Sequence, residues 1–590
     1  MRNHHRNVKK FLFTSLAVLL SVPVGLLSQD VAHANALSSQ RVNELLAPHK
    51  SSYGYYIDQY LLNRKDNTTP ATNPSTALFT NTFGQLWSGD GTKKNPKILQ
   101  ENLDKSAAIS QHVTKTEELR SFLTDREDSP YDLIRGLGPY ANSFIQKANA
   151  KTQYTSLPTH ELPADTKDDP SAGLIWADDK SQLGPMVNLV DTMALYYYSS
   201  SGNAKQYYKY VRPFRQDSQV KVNPYLKAAF DATPQNDYDF PSGHTTQAFE
   251  SGLAMAYAFP ERFQQLVTRS SEVGYDRILV GRHSPLAVMG GRVLGTAVAA
   301  AVLNNSQNKE IAQKAYGNAQ KVLAKSKLTQ GKDDYQNYQE NLKNYTLRMT
   351  YGFKPLSSTK VPMRVPKGAE VLLKTRFPYL NATQRREVLY TTGFTAGYPL
   401  TQDPEGWGRL NLFKAANGFG RLLTNTTVNM DAHKGLFNAR DTWRNNLSGD
   451  GTLIKKGTGS LKLLGANHFK GGVVIKGGTL IAGKQNALGS GNVKISRGTL
   501  NLSSRKVTVK GHYAQTSKGT LQLSSNNRLA VQRNGRFAGK LVVSLNSRPA
   551  KKLVIIKVHK RLGKFKQVKI NGKYGHYHVK YTQKTVELVH

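Results

Sequence analysis

Between residues 37 and 430 the apolar positions recur mostly at the spacing of a helix face. The stretches GPMVNLVDTMALYYYSS (184–200) and TTQAFESGLAMAYAF (245–259) place apolar residues three and four apart, the pattern that lays one side of a helix on a core. NKEIAQKAYGNAQKVLAKSKL (308–328) predicts an amphipathic surface helix. NRKDNTTPATNPSTA (63–77) and THELPADTKDDPSAG (159–173) are polar, rich in turn residues, and predict loops. The region reads as a mainly α-helical bundle.

After about residue 430 the pattern changes to alternation. Glycine followed by alternating apolar residues recurs as GSL at 459–461 and as GTL at 478–480, 498–500 and 519–521. A repeat near 20 residues that cannot bury its apolar side alone predicts stacked coils, an all-β right-handed solenoid. A β-sandwich is the competing arrangement for such short strands. The stretch from 457 to 502 resembles the autotransporter-associated β-strand repeat. KFKQVKINGKYGHYHVKYTQKTVELV (564–589) alternates strongly and is expected to cap the coils. The expected organisation is a leader over 1–36, a helical domain over 37–430, solenoid coils over 431–545 and a basic strand cap over 546–590.

The N-terminus changes where the chain is expected to work. MRNHHRNVKK is basic, FLFTSLAVLLSVPVGLL is apolar, and Ala34 and Ala36 supply the small residues of a cleavage signal, so export with cleavage after Ala36 is expected. The best later candidate for a spanning helix, AVMGGRVLGTAVAAAVL (287–303), is interrupted by Arg292, so no transmembrane segment is expected in the mature chain. The chain has no cysteine, which removes disulfides, thiolate metal sites and a cysteine nucleophile.

The formal charge is +41, and it is uneven: from Gly451 onward 28 Lys and Arg face one acid, Glu587. Such a surface attracts polyanions in a salt-sensitive way. For an exported protein the expected partners are anionic cell-wall polymers or a membrane surface. No recognisable nucleic-acid module accompanies the charge, so no specific nucleic acid is expected.

Three short elements in the helical region carry candidate chemistry. In KQYYKYVRP, Lys205 and Arg212 lie seven apart, on one helix face, before Pro213. In DFPSGH (239–244), Ser242 is a natural N-cap, Gly243 lets a ligand approach the backbone, and His244 sits at a helix start that favours anions. In RILVGRHSPLAVMGG (277–291), Arg277 is a phosphate fork and His283 precedes a Ser284–Pro285 helix start. Two histidines, two helix starts and three basic side chains suit an oxyanion.

In this order the elements resemble the signature of the type-2 phosphatidic acid phosphatase and vanadium haloperoxidase superfamily, Lys-x6-Arg-Pro, Pro-Ser-Gly-His and Arg-x5-His-x3-Asp, here over 205–292. Gaps of 27 residues between Pro213 and Pro241 and of 32 between His244 and Arg277 suit it. The resemblance implies that His283 is the nucleophile of a phosphohistidine mechanism and His244 the proton donor. It implies that Lys205, Arg212, Arg277, Ser242 and Gly243 hold the phosphoryl oxygens, without a metal or cofactor. Segments 365–389 and 397–420 look like the C-terminal part of longer secreted members.

Two positions depart from the pattern. Asp276 stands where Ser is common, and Ala287 stands where the family places the Asp that orients the nucleophilic imidazole. Alanine cannot accept a hydrogen bond from the imidazole, and loss of such a carboxylate costs orders of magnitude in rate. Asp276, Asp239 and Asp237 are the candidate substitutes, and Ala287→Asp is expected to raise turnover. The leading expectation is an exported acid phosphatase acting on small phosphomonoesters and held at the cell surface by its solenoid. The alternatives are an inactive surface-binding protein and a haloperoxidase, which alone would use vanadate.

Overall fold

The computed structural model describes residues 36–166, 175–328, 333–547, 549–574 and 576–590; the expected leader lies outside these apart from Ala36. The helical part is organised around the helix Pro285–Asn304, whose residues 285–302 are all buried. Among the described residues it alone is long and apolar enough to cross a membrane, yet here it is the central helix of a packed core. The reason is what surrounds it: the helices Gly243–Ala258 and Phe263–Leu279 pack against it and against each other. Each fully buried Leu or Val, such as Leu294 and Val298, contributes roughly 1.5–3 kcal/mol of transfer free energy.

Glycines set how closely the first two helices approach. A Cβ added to Gly291 would fall 2.7 Å from the Ser242 carbonyl oxygen, and one added to Gly295 would fall 2.4 Å from that of Thr246. The Ser242 N–H donates to the Ala287 carbonyl at 2.9 Å, which ties the two helix starts together. Ala287 is fully buried at this junction.

The helix Lys115–Arg126 joins this group through buried ions. Arg269 donates to Asp132 at 2.6 Å and to Asp276 at 3.0 Å, and Arg120 reaches Asp276 at 2.8 Å. Within the segment expected as the loop 63–77, Pro74–Ala77 forms one helical turn capped by Asn73.

From Thr426 onward the chain forms stacked parallel coils. One sheet runs 440–443, 460–463, 479–482, 498–502, 519–524, 540–544 and 567–571, in sequence order and parallel throughout. The other runs 426–430, 453–457, 473–475, 493–495, 513–515, 528–536 and 552–562, also parallel. The chain alternates between the two, as a solenoid does and a sandwich of antiparallel strands does not.

The sequence repeat is the register. Leu461, Leu480, Leu500, Leu521 and Leu541 stack as direct partners and are fully buried, each flanked by an outward Ser, Thr or Lys. Parallel pairing begins before residue 431 and continues past 545, through 567–571. At the end of the coils Thr585–Val589 pairs antiparallel with both Lys552–Leu562 and His578–Tyr581, closing one sheet.

The first coil is built onto the helical part. Arg376 makes a two-pronged bond to Asp441 at 2.8 and 2.9 Å and lies between the rings of Phe377 and Phe437. Trp443, fully buried, donates to the Tyr379 hydroxyl at 2.9 Å. One apolar cluster runs from Val42 to Leu588 without a break.

Candidate phosphoryl-transfer site

Both expected helix starts form as the sequence requires. Ser242 caps Gly243–Ala258, its hydroxyl accepting from the Thr245 N–H and, at 2.9 Å, from the Thr245 hydroxyl. Ser284 caps Pro285–Asn304, accepting from the Ala287 N–H, with Pro285 in the first turn, where its missing N–H costs nothing. The side chains that precede these helices therefore meet at one place.

His283 lies there, 2 % exposed. Its Nδ1 is 2.7 Å from Asp239 Oδ1, and Asp239 Oδ2 accepts from the Ser284 hydroxyl at 2.6 Å. Arg212 Nη1 approaches His283 Nε2 to 2.7 Å. Arg212 Nη1 also lies 3.1 Å from Nδ1, but an ionised carboxylate only accepts, so in the neutral ring Nδ1–H donates to Asp239 and Nε2 carries the lone pair. That is the tautomer a nucleophilic Nε2 needs. Of the three carboxylates named above, Asp239 is the one that reaches the imidazole. Asp276 is held by Arg120 and Arg269, and Asp237 by Arg212 and Arg282.

The arginines are held in place by carboxylates, which offset the cost of burying their charge. Arg212 pairs with Asp237, and Arg282 reaches the same carboxylate at 2.8 Å while lying 4.4 Å over the Phe230 ring. Arg277 pairs with Asp125, which Arg126 also binds at 2.7 Å. Lys205 donates to the Tyr238 carbonyl at 2.7 Å. The cluster thus gathers Lys205, Arg212, Arg277, Ser242, Gly243, His244 and His283 from separate elements.

The field at the site is positive. Burial, then the charges of Arg212, Lys205, Arg277 and Arg282, hold the His283 imidazole well below its usual range. Burial and Arg277 do the same to His244, partly offset by Asp125. Burial pushes the Asp239 carboxyl up to about 6, although Arg212, Ser284 and Lys205 favour its charge. Asp237 falls to about 2, because Arg212 and Arg282 outweigh its burial. Two histidines kept neutral among arginines are the mark of an environment that favours negative charge.

His244 is only partly buried and lines a cleft of about 420 Å³ with Gly243, Ser201 and Tyr196. Among the described residues no group of three or more His, Asp or Glu side chains is placed to hold a metal ion. Asp125, Arg126 and Arg282 belong to the site without being foreseen from the sequence. Arg282 had a visible signal, standing directly before His283; Asp125 and Arg126 sit in a segment, TDRED, that matches no motif.

Residues 185–311 match the PAP2 superfamily, and residues 453–482 match the passenger-associated-transport-repeat. The chain thus carries a PAP2 superfamily domain and a passenger-type repeat. It is 34% identical over 98 residues to the non-specific acid phosphatase of Salmonella typhi, covering 17% of this chain and 38% of that protein. It is 30% identical over 195 residues to serotype-specific antigen 1 of Mannheimia haemolytica, covering 33% of this chain and 20% of that one. It is 29% identical over 216 residues to the Neisserial autotransporter lipoprotein NalP of Neisseria meningitidis, covering 32% and 19%. The chain spans less than half the length of each of these relatives.

Proposed function

We propose that the protein is an exported acid phosphatase that hydrolyses phosphomonoesters through a phosphohistidine, and that its basic solenoid keeps it at a cell surface. The observation that carries this reading is the His283–Asp239 pair, set among the charges of Arg212 and Arg277, with His244 under the same Arg277 charge. His283 Nε2 forms a bond to phosphorus as the ester oxygen departs and takes the proton of His244. Asp239 receives the Nδ1–H bond and stabilises the imidazolium charge that develops. Lys205, Arg212 and Arg277 balance the charge on the three equatorial oxygens, with the Gly243 N–H and the dipole of its helix. Water then attacks phosphorus, giving a proton back to His244, and the N–P bond breaks. The chemistry draws its positive charge from side chains, so a chelator is expected to leave it intact.

The reading is supported by the acid phosphatase relative and the PAP2 match on one side, and on the other by the passenger-type repeat, which favours a secreted or surface-exposed protein. The surface reading adds the charge excess after Gly451, suited to anionic polymers or headgroups. The test is release of p-nitrophenol from p-nitrophenyl phosphate with EDTA present, comparing the native protein with His283→Ala. Turnover in the native protein only, with acid-labile phosphate trapped on it, is expected. Equal turnover in the variant, or none in the native protein between about pH 4 and 8, overturns the reading. Elution from an anionic surface by salt checks the solenoid's role.

A further inference from the structure

The cleft beside His244 has an unusual wall. Directly after the helix Gly184–Ala194 come Leu195, Tyr196 and Tyr197, which are 52%, 53% and 49% exposed. Three consecutive large side chains thus stand in water along the cleft, two of them aromatic. They are held in place rather than loose. Tyr198 beneath them is buried; Tyr196 stacks on it at 5.6 Å and 12°, and Tyr197 meets it edge-on at 5.3 Å. Tyr198 is itself fixed by its hydroxyl bond to the Thr192 carbonyl at 2.5 Å and by an edge contact with Tyr60.

The wall also adjoins the phosphoryl cradle. Ser201 lies between them: its hydroxyl would stand 3.2 Å from a Cβ added to Gly243. The chemistry then fixes what occupies the cleft. His244 must reach the ester oxygen that leaves, so the alcohol portion of the substrate extends from His244. It cannot extend toward His283, which is enclosed by protein, and the cleft lined by Tyr196, Tyr197 and Ser200 is the space on the His244 side.

We propose that this cleft is the leaving-alcohol subsite and that it selects phosphomonoesters whose alcohol carries a planar aromatic ring, nucleoside monophosphates among them. The ring stacks against Tyr196 and Tyr197, and Ser200 and Ser201 line the cleft on the side of the sugar. The proposal rests on the reading of His244 as proton donor.

A matched pair of substrates isolates the ring: adenosine 5′-monophosphate and ribose 5-phosphate lose the same kind of alcohol, and only one carries a base. The native protein should favour the nucleotide by about tenfold or more in kcat/KM, the scale on which a base stacks on an aromatic side chain. In the double variant Tyr196→Ala/Tyr197→Ala this ratio should fall to about one, while Tyr196→Phe/Tyr197→Phe keeps it. As a check that needs no variant, adenosine should inhibit ribose 5-phosphate hydrolysis by the native protein competitively. A native ratio of about one, a ratio unchanged by the alanine pair, or no inhibition by adenosine overturns the proposal and leaves the phosphatase reading standing. Hydrolysis of neither ester overturns both.

Discussion

His283 Nδ1 lies 2.7 Å from Asp239 Oδ1, a carboxylate 44 residues earlier in the chain, while Ala287, one helical turn after the histidine, is fully buried at the junction of the two helix starts. The carboxylate at the imidazole thus comes from the irregular segment before Pro-Ser-Gly-His and not from the helix that follows His283. This reverses what the sequence implies for Ala287→Asp. The imidazole already has its acceptor, and a second carboxylate beside Asp239 would be buried against like charge. Steady-state kinetics should show turnover unchanged or lowered in Ala287→Asp; a clear rise would mean that Asp239 orients poorly.

The pH range follows from two shifted groups. Asp239 must be ionised to accept the Nδ1 proton, and its carboxyl is pushed up to about 6 by burial, so kcat/KM falls as pH drops through that value. His244 must be protonated to serve the leaving oxygen, and burial with Arg277 holds it well below 6.5, so kcat/KM also falls as pH rises. The free enzyme should give a narrow, acidic bell. A plateau extending through neutral pH, measured as kcat/KM against pH, would remove His244 from the donor role.

The need for a donor depends on the leaving group. His244→Ala should cost about 10²–10⁴ in kcat with an alkyl phosphate, whose alkoxide leaves badly without a proton. The loss should be much smaller with p-nitrophenyl phosphate, whose phenolate leaves unaided. Equal losses on both esters would point to a positioning role.

Asp125 holds Arg277 and Arg126 where a motif search does not look. Asp125 is fully buried and Arg277 is 1% exposed, so Asp125→Ala leaves an arginine without that partner in a low-dielectric setting. Such a loss costs about 3–5 kcal/mol. Urea unfolding of the helical part should show it, as a midpoint shifted down at unchanged slope. A shift within error would mean that water reaches the arginines.

Much of this was legible in the sequence because it is periodic or adjacent. The coils follow from Gly-Thr-Leu at near-constant spacing, and stacking Leu480 on Leu500 on Leu521 turns that spacing into register. Ser242 and Ser284 announce helix starts by their own chemistry. What the sequence hides is pairing across elements. Asp239, Asp237 and Asp276 are equivalent as letters, and only the packing of the helices around Gly291 and Gly295 decides which one faces His283. The same holds for Asp125, brought in from a helix that lies more than a hundred residues before the histidines. The start of the coils at Thr426 is also a matter of pairing, since its partner Leu453 lies one turn later.

The most direct test is the turnover number of Asp239→Asn on p-nitrophenyl phosphate, with circular dichroism confirming the fold. Asparagine keeps the shape but cannot stabilise the imidazolium, and it allows the wrong tautomer. If Asp239 is the relocated partner of His283, kcat should fall by about 10³–10⁴, as in other His–Asp pairs. Turnover within a few-fold of the native protein would contradict the account.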